Sequence, residues 1–328
     1  MNKACHGCVL FCLIMLARFV PAQPLADGED HTPLSARVQE ILDVCVTSPE
    51  KGELALISLG PAAVPYLCEA LPTYPYPAPL LAGLKALVNE SSVHPLLCTL
   101  HRLEGLGEDN WTHTYVTCEL IRLLKNLGAT EVIPSMLDLM RDETRCFSVR
   151  LSAAGTVARL ASKAPTREEA ERFIISTYGR LGEITSPSTD GEGPMCSISD
   201  MIDALQEVTT AEGEKLFREM FAEYVGLPHF GGLFVAGLTR QNTPEAAALL
   251  SDAFSHGRYY WPQEMLQYAE GLVAMDDVCI AGLRKAFETQ REAFVQSYGE
   301  LGRQLCRQID ELLSEREAKE TVKALSPD

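Results

Sequence analysis

Three histidines, His94, His101 and His113, share a twenty-residue window with Glu104, Glu108, Asp109 and Trp111. His94 and His101 are seven apart, so on a helix they lie on one face, and with Asp109 or His113 they would supply imidazole and carboxylate ligands for a metal ion. The spacing matches no ligand pattern of known mechanism, and His94 precedes Pro95 at a turn, so neither a metal nor a cofactor is assigned. GxSxG, HExxH, P-loop and GxGxxG patterns do not occur, which leaves no activated nucleophile or phosphate cradle. The glycine-rich stretch Gly226–Gly232 reads as a joint between helices. Asp142-Glu143, Glu168-Glu169 and Asp276-Asp277 fall at predicted helix ends, where carboxylates complement the macrodipole. Glycan hydrolysis would need stacking aromatics and two placed carboxylates. The chain has two tryptophans, Trp111 and Trp261, and one aromatic run, Tyr259-Tyr260-Trp261. No catalytic residue is assigned.

Composition narrows the field further. With 328 residues, 46% hydrophobic and 22% charged, the chain is of ordinary globular type and long enough for a sizeable core. Its 28 basic and 45 acidic residues give a net charge of −17. That argues against nucleic acid or anionic lipid as partner, because phosphate surfaces are bound by clustered Lys and Arg. Residues 1–22 place Lys3 before the apolar run Val9–Leu16 and end in Val20-Pro21-Ala22, the three-part form of a secretory signal peptide cleaved between Ala22 and Gln23. Arg18 interrupts the apolar run short of the roughly 20 residues a membrane span needs, so no integral span is expected after cleavage. The exported product, periplasmic or secreted, would keep eight cysteines: Cys45, Cys68, Cys98, Cys118, Cys146, Cys196, Cys279 and Cys306. They are scattered, without CxxC, and most sit in apolar helical runs; small buried thiols are expected, with one or two disulfides left open. Asn89-Glu90-Ser91 and Asn110-Trp111-Thr112 are glycosylation sequons, relevant to a eukaryotic source.

The elements that must position any site repeat along the chain. Leu123–Asp142 reads as a helix ending at Leu127-Gly128, a cap at Thr130, and a second helix through Val132-Ile133-Pro134 and Leu137, with Leu137 expected to be buried between helix pairs. Weaker copies follow Leu59-Gly60, Val88-Asn89, Leu160, Leu205, Leu238 and Leu272. The leucines Leu87, Leu124, Leu160, Leu205, Leu238 and Leu272 are 37, 36, 45, 33 and 34 residues apart, the period of a two-helix solenoid repeat. Thr166 with Glu169 and Thr209 with Glu212 have capping-box spacing; Thr243-Pro244-Glu245 and Ser48-Pro49-Glu50 place a cap, a proline and an acid in order. No alternating β-branched run appears, so an all-α fold is expected.

On these residues the chain resembles a HEAT-like, armadillo-like helical repeat protein, best over 123–160 and degenerate over 200–288. The resemblance implies an α-solenoid of about seven two-helix repeats and, from Asp142 and Arg150, a polar ladder between successive repeats. The expected organisation is a signal peptide (1–22), HEAT-like repeats (23–181), a loop or linker (182–199), degenerate repeats (200–288) and a long C-terminal helix and tail (289–328). That helix carries an apolar stripe, Phe294, Tyr298, Leu301, Leu305, Ile309 and Leu312, suited to capping the array. Net charge is −6 over residues 23–164 and −13 over 165–328. The expected function is a non-catalytic scaffold that binds another protein or peptide, with His101, Arg102, Asp138 and Arg141 as contact residues on the exposed second helices. The alternative is a helical-toroid enzyme acting on polysaccharides.

Overall fold

In the computed structural model the described residues are 33–104, 111–184, 197–226, 231–257, 262–275, 278 and 280–325. The expected signal peptide, Glu108, Asp109, most of the 182–199 loop, Tyr259-Tyr260-Trp261, Asp276-Asp277, Cys196 and Cys279 lie outside them. Helix accounts for 85% of the described residues and none is in a strand, as the absence of β patterning predicted. The chain divides into two compact units, Met1–Ala129 and Thr130–Asp328.

In the first unit α1 (Leu34–Thr47), α2 (Pro49–Ser58), α3 (Val64–Ala70), α4 (Pro77–Leu87), α5 (Val93–Glu104) and α6 (Trp111–Asn126) pack in two layers. One layer runs α1, α3, α5; the other runs α2, α4, α6. Such short helices hold together because the inner ones are apolar on more than one side: Leu56, Leu80, Leu81, Leu84, Leu120 and Leu124 are each at most 1% exposed. Each such leucine contributes about 1.5–3 kcal/mol of burial. The turns from α2 to α3 and from α4 to α5 use glycine or asparagine. Gly60 (φ +76°) ends α2 before a 3-10 turn, Pro61–Ala63. Asn89 does the same work before the turn Glu90–Ser92, its Oδ1 accepting from the Ser91 N–H at 3.0 Å while its own N–H donates to Ser92 Oγ at 3.0 Å. Gly128 (φ +69°) follows α6, in the left-handed conformation expected of it.

The second unit opens on the 3-10 turn Thr130–Val132, so Thr130 starts that turn and the next helix begins three residues later. Its helices are α7 (Ile133–Arg141), α8 (Phe147–Leu160), α9 (Ala164–Tyr178), α10 (Leu181–Ile184), α11 (Ile198–Leu205), α12 (Ala211–Tyr224), α13 (Gly231–Gln241), α14 (Pro244–Ser255), α15 (Pro262–Ala274) and α16 (Ile280–Leu325). α8, α11, α13 and α15 pack in succession, and α12, α14 and α16 line up beside them. Gly155 lets α8 approach α11: a Cβ there would stand 3.2 Å from the Ala204 Cα. The leucines read as a repeat lie near the C-terminal ends of α4 and α6 in the first unit and of α8, α11, α13 and α15 in the second; all but Leu160 are buried.

Several local expectations shift. Pro165 fits the first helical turn, so α9 begins at Ala164 and Thr166 lies inside it rather than capping it. Thr210, not Thr209, caps α12 by accepting from the Gly213 N–H at 3.3 Å, and Thr209 is drawn instead to Glu171. Thr243 caps α14 as read; Ser48 stands at the start of α2 without a side-chain bond. Leu137 is half-buried, not buried: the frame set by the 3-10 turn points Met136, Leu139 and Met140 inward at i, i+3 and i+4.

The largest departure is at the C-terminus. α16 starts at Ile280 and reverses at Gly299 (φ +57°, ψ −125°), a conformation open essentially to glycine alone. The two arms run antiparallel, joined by Arg291 to Asp310 at 2.7 Å and Arg284 to Glu317 at 2.8 Å. What reads as one stripe is therefore two facing stripes, with Phe287 and Phe294 on one arm and Leu305, Ile309 and Leu313 on the other buried. Leu301, Tyr298 and Leu312 are only half-buried. The hairpin covers α14 and α15, where Gln290 donates to the Phe254 carbonyl at 2.6 Å and Arg316 to that of Met275 at 3.4 Å.

Candidate functional site

Among the described residues no three His, Cys, Asp or Glu side chains converge so as to hold a metal ion. His94 faces Cys98 at 3.6 Å on an exposed face, and His101 is exposed. The side chains of Glu104 and Trp111 lie outside the described residues. Of the described cysteines Cys45, Cys68, Cys118 and Cys306 are buried, Cys146 is half-buried and Cys98 is exposed. Burial pushes the Cys68 thiol up to about 11, so it is a packing group and not a nucleophile at neutral pH.

Buried carboxylates serve the packing. Glu119 of α6 takes Lys85 of α4 at 2.5 Å and also pairs with Arg122. Glu207, after α11, takes Arg240 of α13 at 2.6 Å and Arg159 of α8 at 3.5 Å. Glu171 of α9 accepts from the Thr209 N–H at 3.1 Å and its hydroxyl at 3.0 Å. These cross-links join successive helices, the work expected of Asp142 and Arg150. Those two do not meet: Asp142 accepts from Thr144 N–H at 3.0 Å and Arg145 at 3.3 Å, while Arg150 donates to the Met140 carbonyl at 3.0 Å and lies 4.9 Å over the Phe173 ring. Sequence reading missed Glu119 and Glu207 because an isolated acid inside an apolar helix carries no local signature.

Of the expected contact residues, His101 and Arg102 belong to the first unit and Asp138 and Arg141 to the second. Arg102 donates to the Cys68 carbonyl at 2.8 Å, tying α5 to the region of α3. Arg141 forms a two-pronged pair with Glu169 of α9, both contacts at 2.7 Å, which holds the Glu169 carboxyl below its ordinary range. Asp138 is exposed.

A shallow surface groove lies elsewhere, between α12 and α14. Both helices bury their large side chains inward: Phe217, Met220 and Phe221 on α12, Leu250 and Phe254 on α14. Between them Ala222, Ala248 and Leu249 leave a shallow groove of about 510 Å³. Its edges are Lys215, Arg218 and Glu219 on one side and Glu245 and Asp252 on the other. Arg218 is held by Gln241 at 3.0 Å, and Lys215 leans to Glu219 at 3.6 Å. The α14 edge carries the carboxylates of Glu245 and Asp252, the latter 2.9 Å from His256 Nδ1, and no aromatic ring lines the groove. The signal in sequence was Ala246-Ala247-Ala248, three small residues of which only the third faces outward. Comparison with known protein families, curated proteins and solved structures gives no match.

Proposed function

We propose that this chain is an exported, non-catalytic helical-repeat scaffold, an α-solenoid of about seven HEAT-like two-helix repeats, that binds a basic amphipathic segment of another protein in the α12/α14 groove. The groove is the observation that carries the reading. A shallow apolar floor between two helices takes the apolar face of a peptide or helix. The acidic α14 edge, in a chain of net charge −17, selects Lys and Arg flanks. None of His101, Arg102, Asp138 and Arg141 lines the groove, so those residues are not needed for this reading. The signal-like segment 1–22 supports export, and no described helix is long and apolar enough to cross a membrane. Three carboxylates line the groove, yet without a ring for a sugar to stack on it favours a peptide over the polysaccharide of the alternative reading.

A displayed library of amphipathic peptides, selected on residues 23–328, should enrich sequences with Lys or Arg beside an apolar face. The enriched peptides should lose about tenfold or more in affinity to Ala248→Trp, which fills the groove from an exposed position. Enrichment that ignores Ala248→Trp, or none at all, overturns the site. N-terminal sequencing of the exported product should begin at Gln23; an intact N-terminus overturns the signal peptide.

A further inference from the structure

The C-terminal hairpin carries a second cavity, of about 370 Å³, lined by Arg291, Val295, Glu300, Arg303, Cys306 and Arg307. Three guanidinium groups around one cavity stand out in a chain with 45 acids against 28 bases. One of them is a structural part of the hairpin: Arg291 is held by Asp310 at 2.7 Å and lies 5.5 Å over the Phe287 ring. The other two are not needed for packing. The Arg303 and Arg307 side chains are 57% and 67% exposed, and each leans on Glu300, itself 72% exposed.

Glu300 places a carboxylate where an oxyanion would sit. Its Oε2 accepts from Arg303 Nε at 2.8 Å and from the same guanidinium's terminal nitrogen at 2.5 Å, and its Oε1 lies 3.7 Å from Arg307. Ion pairs this exposed contribute little, so a doubly charged oxyanion displaces the carboxylate at small cost. Guanidinium forks match phosphate oxygens two at a time. Arg303 and Arg307 are four residues apart on the arm that begins after Gly299, so their side chains share one face of it. Beneath them Val295 and the buried Cys306 form an apolar wall. The volume falls in the range of organic ligands and exceeds what a bare ion fills.

We propose that this cavity binds a soluble phosphate monoester, its phosphoryl oxygens taken by Arg303 and Arg307 in place of Glu300 and its organic group laid against Val295. The site is independent of the α12/α14 groove and of the scaffold reading. A phospholipid headgroup presents the same chemistry, but the strongly acidic chain disfavours an anionic bilayer.

The test is calorimetric titration of residues 23–328 with O-phosphoserine, inorganic phosphate and phosphatidic-acid vesicles at constant ionic strength. O-phosphoserine should bind saturably and more tightly than inorganic phosphate. Glu300→Gln should tighten it by about threefold or more by removing the competing carboxylate, and Arg303→Gln/Arg307→Gln should weaken it by at least about tenfold. Arg316→Gln, on the same arm but outside the cavity, should match the wild type, with circular dichroism confirming an unchanged fold in all variants. The proposal is overturned by absence of saturable phosphoserine binding in both wild type and Glu300→Gln, by equal affinity in the double arginine variant, by weaker binding in Glu300→Gln, or by binding confined to vesicles.

Discussion

The two units solve one packing problem with different residues. Residues 33–129 fill their layers with leucine: Leu56, Leu67, Leu80, Leu84, Leu96, Leu100, Leu120 and Leu124 are all fully buried. They turn between layers on Gly60 and Asn89, and Gly128 ends α6. The second unit fills equivalent space with larger and smaller side chains, setting Phe217, Phe221, Phe234, Phe254 and Phe287 against Ala153, Ala154, Ala204, Ala246 and Ala253. Phe234 alone stacks on Phe217 and Phe221 at 5.3 Å each. Layer packing asks for total volume and for the correct face of the helix, so it tolerates this exchange. A leucine-and-glycine signature does not survive it, which is why the later helices depart from that signature in sequence and still pack in succession.

The exchange concentrates stability in fewer side chains, and the sharpest way to break the comparison is to remove one from each unit. Phe234→Ala should cost about 3–5 kcal/mol and Leu80→Ala about 2–5 kcal/mol. Denaturant titrations that show Phe234→Ala to be the milder of the two would end the idea of aromatic concentration. Gly299→Ala should cost about 1–3 kcal/mol by placing a side chain at φ +57°, ψ −125°, with the loss seen as a lower thermal midpoint; an unchanged midpoint would mean the hairpin turn relaxes freely.

Close approaches of the first unit should be felt next. A Cβ at Gly52 would stand 2.3 Å from Cys45 Sγ and 2.9 Å from the Cys45 Cα, so Gly52→Ala should cost about 1–3 kcal/mol, and Cys45→Ala should recover only part because the backbone contact persists. Full recovery in the double variant would place the whole clash on the thiol.

The smallest effect expected concerns Glu53, which is 6% exposed in α2 with no cation among the described residues shifting its carboxyl. Desolvation, then Glu50, raises its carboxyl above the ordinary range. The folded state therefore holds this proton more tightly than the unfolded chain, and stability falls as pH rises from the unfolded value through the folded one. Glu53→Gln should gain about 1 kcal/mol at pH 7, and the gain should vanish in acid below the ordinary glutamate range. A gain that persists at low pH would assign the effect to packing instead of charge.

Much of this molecule was legible in its order of residues. Missing β alternation predicts an all-helical chain, and the Leu-Gly pairs at 59–60 and 127–128 mark where helices end, because glycine takes the left-handed turn that other residues avoid. Thr243 with Pro244 marks the start of α14 by an equally local signal. Tertiary structure alone decided the rest. The C-terminal apolar stripe is compatible with a straight helix or a hairpin until Gly299 turns and Arg291 and Arg284 meet Asp310 and Glu317 across it. Leu137 and Met136 are neighbours of equal hydrophobicity, and only the frame set by the preceding turn decides which is buried. Glu119, Glu207, the alanine-floored groove and the arginine-lined cavity are made by residues from distant turns or separate helices. Their chemistry arises from proximity that spacing along the chain does not encode.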